Sequence, residues 1–215
     1  MNRRRSGIGI FGGTFNPVHR GHLAAARQVW RRSRLKKILF IPAFLPPHKS
    51  REGLAPARHR LRMLRLAVGN TPYFKVSTIE LERRKKSYTI DTLRSLRGKM
   101  GRKGPFFFII GADELSGLPR WRRIKEILKL CRFVVITRPG YTYGRKDFQG
   151  APFIKKDLKN MVVLNAATPD ISATEVRRRV QLGRPFGSLV PPGVARYIRE
   201  HDLYKSASRQ DKNSI

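Results

Sequence analysis

Two histidines three residues apart, His19 and His22, stand with Gly21 between them just beyond the glycine pair Gly12 and Gly13. Imidazoles donate and accept hydrogen bonds near neutral pH, and a glycine pair permits a turn whose bare N–H groups can approach an anion. The run 8–11 ahead of the pair is short, apolar and partly β-branched, which suits a buried strand. The alanine-rich residues after it read as a helix. A helix opening near Pro17 would put both imidazoles on one face and aim its free amides and dipole at the same place. The combination describes a nucleotide-phosphate cradle, with two donors where charge moves during phosphoryl or nucleotidyl transfer. Gly21 is expected to leave room there for a ligand.

The string from Gly12 to His22, Gly-Gly-Thr-Phe-Asn-Pro-Val-His-Arg-Gly-His, resembles the GGTFxPxHxGH signature of the nucleotidyltransferase superfamily. Those Rossmann-like enzymes adenylylate or cytidylylate small phosphate-bearing substrates. Every fixed position is matched, with Asn16 standing where many members carry Asp. The resemblance implies ATP contacts for Gly12, Gly13, Thr14 and Phe15 and catalytic roles for His19 and His22. Gly7, Gly9 and Gly12 also spell G-x-G-x-x-G. That fingerprint must follow a strand and needs an acid about 20 residues on, whereas residues 1–6 are basic and the later region reads Trp30-Arg31-Arg32-Ser33-Arg34. A bound NAD cofactor is therefore not expected.

Further along, the loop after the apolar run 38–41 is held extended by prolines and carries two donors, His48 and Lys49. Ser87-Tyr88-Thr89 opens a helix, and Thr89 alone reads equally well as a helix cap. Gly111-Ala112-Asp113 turns out of the apolar run 106–110, where a short acid could accept from both ribose hydroxyls. Trp121, in Leu118-Pro119-Arg120-Trp121, could stack on a flat ring or simply anchor a helix. Arg138 precedes a Pro-Gly turn. Ser172 and Glu175 have capping-box spacing, and Thr174 and Arg177 follow in the same helix.

These segments resemble, in order, the PPHK-like, SYT, IIGxD, proline-x-tryptophan, RRPG-like and ISxTxxR motifs of bacterial nicotinate-nucleotide adenylyltransferases, over a span from Ile10 to about Tyr204. The resemblance implies ATP and nicotinate mononucleotide as substrates and deamido-NAD and pyrophosphate as products. It implies Mg²⁺ carried on the ATP phosphates, with no metal ligand from protein side chains. His48 and Lys49 would approach phosphate, Thr89 and Trp121 the pyridine, Gly111 and Asp113 the ribose, and Arg138 the adenine. Ser172, Thr174 and Arg177 would converge on the ATP phosphates, Arg177 as a catalytic residue. Other enzymes of the signature, using nicotinamide mononucleotide, phosphopantetheine or a cytidine nucleotide, are the alternatives.

The elements that must position these groups follow from pattern. Strand-like runs at 8–11, 38–41, 74–77, 106–110, 132–137 and 162–164 are interspersed with helical segments at 19–31 and 57–68, helices that start at 87–92 and after Ser172, and a closing helix at 191–201. That order predicts an α/β, Rossmann-like, doubly wound parallel sheet with a small C-terminal helical part. The helix 57–68 reads as an apolar stripe with a basic face and a purely structural role. Glu80 and Glu82 are expected on the surface, and 141–160 as an excursion without chemistry. With 215 residues and 40% hydrophobic content, one domain over 1–205 with a frayed tail at 206–215 is expected.

The single cysteine, Cys131, excludes an intramolecular disulfide and a multi-cysteine metal site. No apolar run approaches the ~20 residues of a membrane span, and the residues after the basic start form no signal-peptide core, so a cytoplasmic location is expected. The formal charge of +33 raises a basic RNA-associated protein as the rival class. The basic residues are dispersed and carry no recognition motif. They are expected to steer anionic nucleotides and to bind nucleic acid loosely, without sequence preference.

Overall fold

The computed structural model describes residues 6–46, 53–101, 104–137, 161–166 and 168–205. Six strands, β1 (Ile8–Gly13), β2 (Lys37–Pro42), β3 (Phe74–Val76), β4 (Phe106–Gly111), β5 (Cys131–Thr137) and β6 (Met161–Asn165), form one sheet in the order β3-β2-β1-β4-β5-β6. Every neighbouring pair is parallel. The inner strands β2 and β4, buried on both faces, need apolar side chains in both directions, which is why they read as continuous apolar runs in the sequence.

Alternate residues of each strand feed two cores. Ile38 and Phe40, Ile109, and Val134 and Ile136 face a layer built from α1 (Arg20–Arg32), α2 (Ala57–Val68), α6 (Ala173–Gln181) and α7 (Pro192–Glu200). Leu39 and Ile41, Phe108 and Ile110, and Phe133 and Val135 face α3 (Ile79–Arg83), α4 (Thr89–Met100), the 3-10 segment Ala112–Arg120 and α5 (Ile124–Leu130). Helices on both faces make the sheet doubly wound, as expected. The order reverses between β1 and β4, and a ligand crevice opens at the carboxyl ends of strands at such a point.

Helix α1 carries no acid in its first turn and places Arg31 and Arg32 in its last, so its basic end complements the dipole while its N-terminus stays open to an anion. Cys131 is buried at the start of β5, opposite Phe106, and its thiol donates to the Ile127 carbonyl at 3.5 Å. Among the described residues no helix is long and apolar enough to cross a membrane. The expected tail 206–215 and excursion 141–160 lie outside the described residues.

Two expectations need correction. Glu80 is not on the surface: it is 7% exposed, because the residues after β3 form the short helix α3 and turn it inward, where Thr92 Oγ1 donates to Glu80 Oε1 at 2.6 Å. Arg60, assigned by pattern to the basic face of α2, is 1% exposed. Its position, three and four residues before the buried Met63 and Leu64, puts it on the apolar stripe.

Candidate active site

The carboxyl ends of β1 and β4 and the N-termini of α1, α4 and α6 surround a cleft of about 1090 Å³. Gly12, Gly13, Thr14 and Phe15 form its floor as β1 runs into the signature turn. Phe15 adopts a left-handed backbone, φ 48°, while only 2% exposed. A bulky residue held there stores strain of ~1–3 kcal/mol, offset by its ring packing against Phe11, Phe40 and His22 at 5.1–5.9 Å.

His19 is the N-cap of α1, and His22 lies in its first turn. Their rings stack with centroids 3.6 Å apart and a 31° tilt, and both line the cleft. His22 Nδ1 accepts the His19 backbone N–H at 3.2 Å. In the neutral ring the proton therefore sits on Nε2, the side opposite the cap. Gly21 has a packing reason as well. A Cβ there would stand 3.0 Å from His19 Nδ1 and 3.3 Å from the Pro169 carbonyl, so the missing side chain makes room for the His19 ring at a position that also lines the cleft.

Opposite the histidines, Ser172 caps α6 by accepting the Glu175 N–H at 3.1 Å, as its spacing predicts. The box is not reciprocal: the Glu175 carboxylate is held by Arg178 and Arg179 at 2.8–3.1 Å, and these bonds pull its pKa down to about 2. Arg177 bridges the two halves. Its Nη1 donates to the Asn16 carbonyl at 2.8 Å and its Nη2 to Thr174 Oγ1 at 3.4 Å. Ser172, Thr174 and Arg177 all line the cleft.

At the β4 end, Asp113 is the second residue of the 3-10 segment, and its carboxylate lies over the α-carbon of Gly111, so that any Cβ at 111 would collide with Asp113 Oδ1. That packing requires glycine. Both residues line the cleft, as do Thr89 and Trp121. Thr89 is the first residue of α4, with Tyr88 in the N-cap position, so the capping role open to it in the sequence is not the one it takes. Trp121 anchors its segment by packing edge-on against Phe108 and Phe133 at 5.8 and 6.0 Å, and it lines the cleft. His48, Lys49 and Arg138 lie outside the described residues.

Pattern reading missed several groups. Glu80, Ser87 and Arg122 line the cleft, Ser87 Oγ accepts the Phe44 N–H at 3.0 Å, and the Arg122 guanidinium sits 5.0 Å from the centre of the Tyr88 ring. Asn16 is 7% exposed. Its Nδ2 donates to the Gly53 carbonyl at 2.8 Å, while Oδ1 accepts from the Ala55 N–H at 3.1 Å and from the Tyr204 hydroxyl at 2.9 Å. An ionised Asp here could not make the first bond, which gives Asn16 a use at this variable position.

The cytidylyltransferase-like family model matches residues 10–179. A probable nicotinate-nucleotide adenylyltransferase of Thermoanaerobacter sp. (strain X514) is 42% identical over 210 residues, 97% of each chain. The chain belongs to the nicotinate-nucleotide adenylyltransferases of that family. Another such relative, from Geobacillus thermodenitrificans (strain NG80-2), is 44% identical over 197 residues, 92% of this chain and 85% of its own. Among solved structures, the Plasmodium falciparum nicotinic acid mononucleotide adenylyltransferase complexed with NaAD superposes with a TM-score of 0.74, covering 93% of this chain and 97% of that one at 19% identity. At that identity the likeness speaks for the Rossmann-like fold alone.

Proposed function

We infer that this protein transfers the adenylyl group of ATP to nicotinate mononucleotide, giving deamido-NAD and pyrophosphate. One observation carries the reading: the two signature histidines, Arg177, Thr89 and Trp121 meet in a single cleft, in a chain whose relatives at about 40% identity bear that enzyme's name. The phosphate of a mononucleotide is anionic at neutral pH, so its oxygen can attack the α-phosphorus of ATP without first losing a proton. The new O–P bond forms as the bond from the α-phosphorus to the bridging oxygen breaks, and pyrophosphate departs with the electron pair.

Catalysis then consists of alignment and charge neutralisation. His22 Nε2–H is the donor to an α-phosphate oxygen, with His19 stacked beside it. Arg177, Thr174, Ser172 and the amides at the start of α6 hold the β- and γ-phosphates. Asp113, over Gly111, accepts from the ribose hydroxyls. Thr89 and Trp121 bound the pyridine. Among the described residues no three His, Cys, Asp or Glu side chains group to hold a metal, and the donors around the cradle are imidazole, guanidinium, hydroxyl and amide, which fit phosphate oxygens rather than a cation. Mg²⁺ fits as a passenger on the ATP phosphates, where it would draw charge from the leaving pyrophosphate.

A cytoplasmic enzyme of this kind would meet nucleic acid, and its charge is uneven: residues 1–79 hold 17 Lys and Arg against one acid, Glu52. Loose polyanion binding accompanies the enzymatic reading and does not replace it. The deciding assay is pyrophosphate release from ATP with nicotinate mononucleotide, nicotinamide mononucleotide and phosphopantetheine in parallel. Turnover with nicotinate mononucleotide is expected to dominate. Faster turnover with phosphopantetheine would overturn the assignment.

A further inference from the structure

Arg60 is buried on the apolar stripe of α2, and its bonds are all to main chain. Nε donates to the Ala55 carbonyl at 2.9 Å, Nη1 to those of Thr14 and Ala43 at 2.9 and 2.7 Å, and Nη2 to that of Phe44 at 3.1 Å. Four of its five N–H groups are thus used on three separate stretches of chain: the signature turn, the exit of β2 and the approach to α2. Among the described residues no carboxylate pairs with it. A buried charge without an acid partner is costly to keep, and a packed apolar residue would serve a purely structural position on this stripe at least as well.

What the guanidinium does is fix peptide planes. Thr14 and Ala43 both line the cleft. The C=O and N–H of a trans peptide point in opposite directions, so holding the Thr14 carbonyl onto Arg60 turns the Phe15 N–H away from it. The same fork holds the β2 exit at a set distance from the signature turn. Asn16 adds a second strap across the gap, binding Gly53 and Ala55 on one side and Tyr204, beyond α7, on the other. Resting on the adenylyltransferase reading above, we propose that Arg60 is a positioning residue for the transfer: it sets the orientation of the Thr14–Phe15 peptide as an anion donor and the spacing between the ATP floor and the β2 side of the cleft.

The planar fork is what matters, because one ammonium cannot span four carbonyls on three stretches. A misplacement of about 1 Å in an aligned site costs up to about 100-fold in rate. The test compares wild type, Arg60→Met, Arg60→Lys and Arg60→Ala by pyrophosphate-release kinetics, with thermal melting alongside. Positioning predicts a fall in kcat of about 10- to 100-fold for Arg60→Lys, measured well below its Tm, with both KM values within about threefold. Millimolar methylguanidinium should restore part of the kcat of Arg60→Ala. A structural prop alone would lower Tm and leave kcat of the folded enzyme within twofold, and that result overturns the proposal. So does failure of both Arg60→Met and Arg60→Lys to fold. Wild type inactive with nicotinate mononucleotide would refute the substrate reading instead. The Arg60 series is then compared with whichever acceptor the wild type does turn over, and a kcat for Arg60→Lys within twofold of wild type would sink the proposal.

Discussion

His22 holds two positions at once, and they can be separated by substitution. Its Nδ1 closes the start of α1 by accepting the His19 N–H, and its Nε2–H is the donor assigned to the transferring phosphate. Losing a cap of this kind costs ~1 kcal/mol, which for a domain of this size lowers Tm by roughly 2–4 °C. Losing a donor aimed at developing charge costs about 10²- to 10³-fold in kcat, or ~3–4 kcal/mol of barrier. His22→Ala should show both losses. Gln at the third position of a helix reaches back to the cap N–H as in a capping box, so His22→Gln should melt near wild type while turning over almost as slowly as His22→Ala. The assay is steady-state pyrophosphate release at saturating ATP and mononucleotide, with calorimetric melting on the same samples. Because the donor acts in the transition state, KM for ATP should move little beside kcat. His22→Gln with near-normal turnover would refute the donor role, and His22→Ala with an unchanged Tm would refute the cap.

Three further outcomes are expected. Thr89 opens α4 at the cleft wall, and a pocket lined by donors favours a carboxylate over an amide by ~1–3 kcal/mol for each donor otherwise left unpaired. The ratio of kcat/KM for nicotinate over nicotinamide mononucleotide should thus be large and should shrink in Thr89→Val, and an unchanged ratio would remove Thr89 from the pocket. Burial raises the Glu80 carboxyl above its ordinary value of 4.5, against bonds from Thr92 and Ser87 and the charge of Arg83. The native state then holds that proton more tightly than the unfolded chain, so Glu80 subtracts stability as pH rises from 4.5 through the raised folded value and is level above it. Glu80→Gln should flatten the Tm-against-pH curve in that window, and an unaltered curve would show that another group titrates there. Binding to single-stranded RNA should be indifferent to sequence and fall linearly in log–log plots against salt; tight binding to one RNA at high salt would revive the rival class.

The inner strands were legible because parallel strands buried on both sides read as apolar runs, as 38–41 and 106–110 do, whereas the edge strand β3 reads only as Phe-Lys-Val. The signature turn, Ser172 with its cap and the acid after β4 were legible because each function needs its residues close in sequence. Helix α5 was not. It is seven residues long and is entered from Arg123 in a left-handed conformation, φ 56°, so no helical period builds up and no capping residue announces it. Arg60 left a trace, a charge on an apolar stripe, but its partners are carbonyls, which every residue carries and no pattern marks. The Asn16 network is hidden for a related reason: its partners lie 37, 39, 161 and 188 residues away, and only the fold brings them together.

The lone thiol gives this protein an internal clock. Burial pushes the Cys131 thiol up to about 12, with Arg97 pulling it slightly back, so near pH 8 only about one molecule in 10⁴ would carry the thiolate even if reagent could reach it. It is kept from reagent by the core layer in which the thiol packs, beneath α4 and α5 with the Ile127 carbonyl 3.5 Å away. A thiol reagent therefore marks a molecule only during an excursion that opens this layer, and with a single cysteine in the chain the mass of the product counts such excursions one at a time. Followed with and without ATP, the labelling rate would report how far a ligand at the carboxyl ends of the strands quiets breathing at their opposite ends, a coupling that no turnover assay registers.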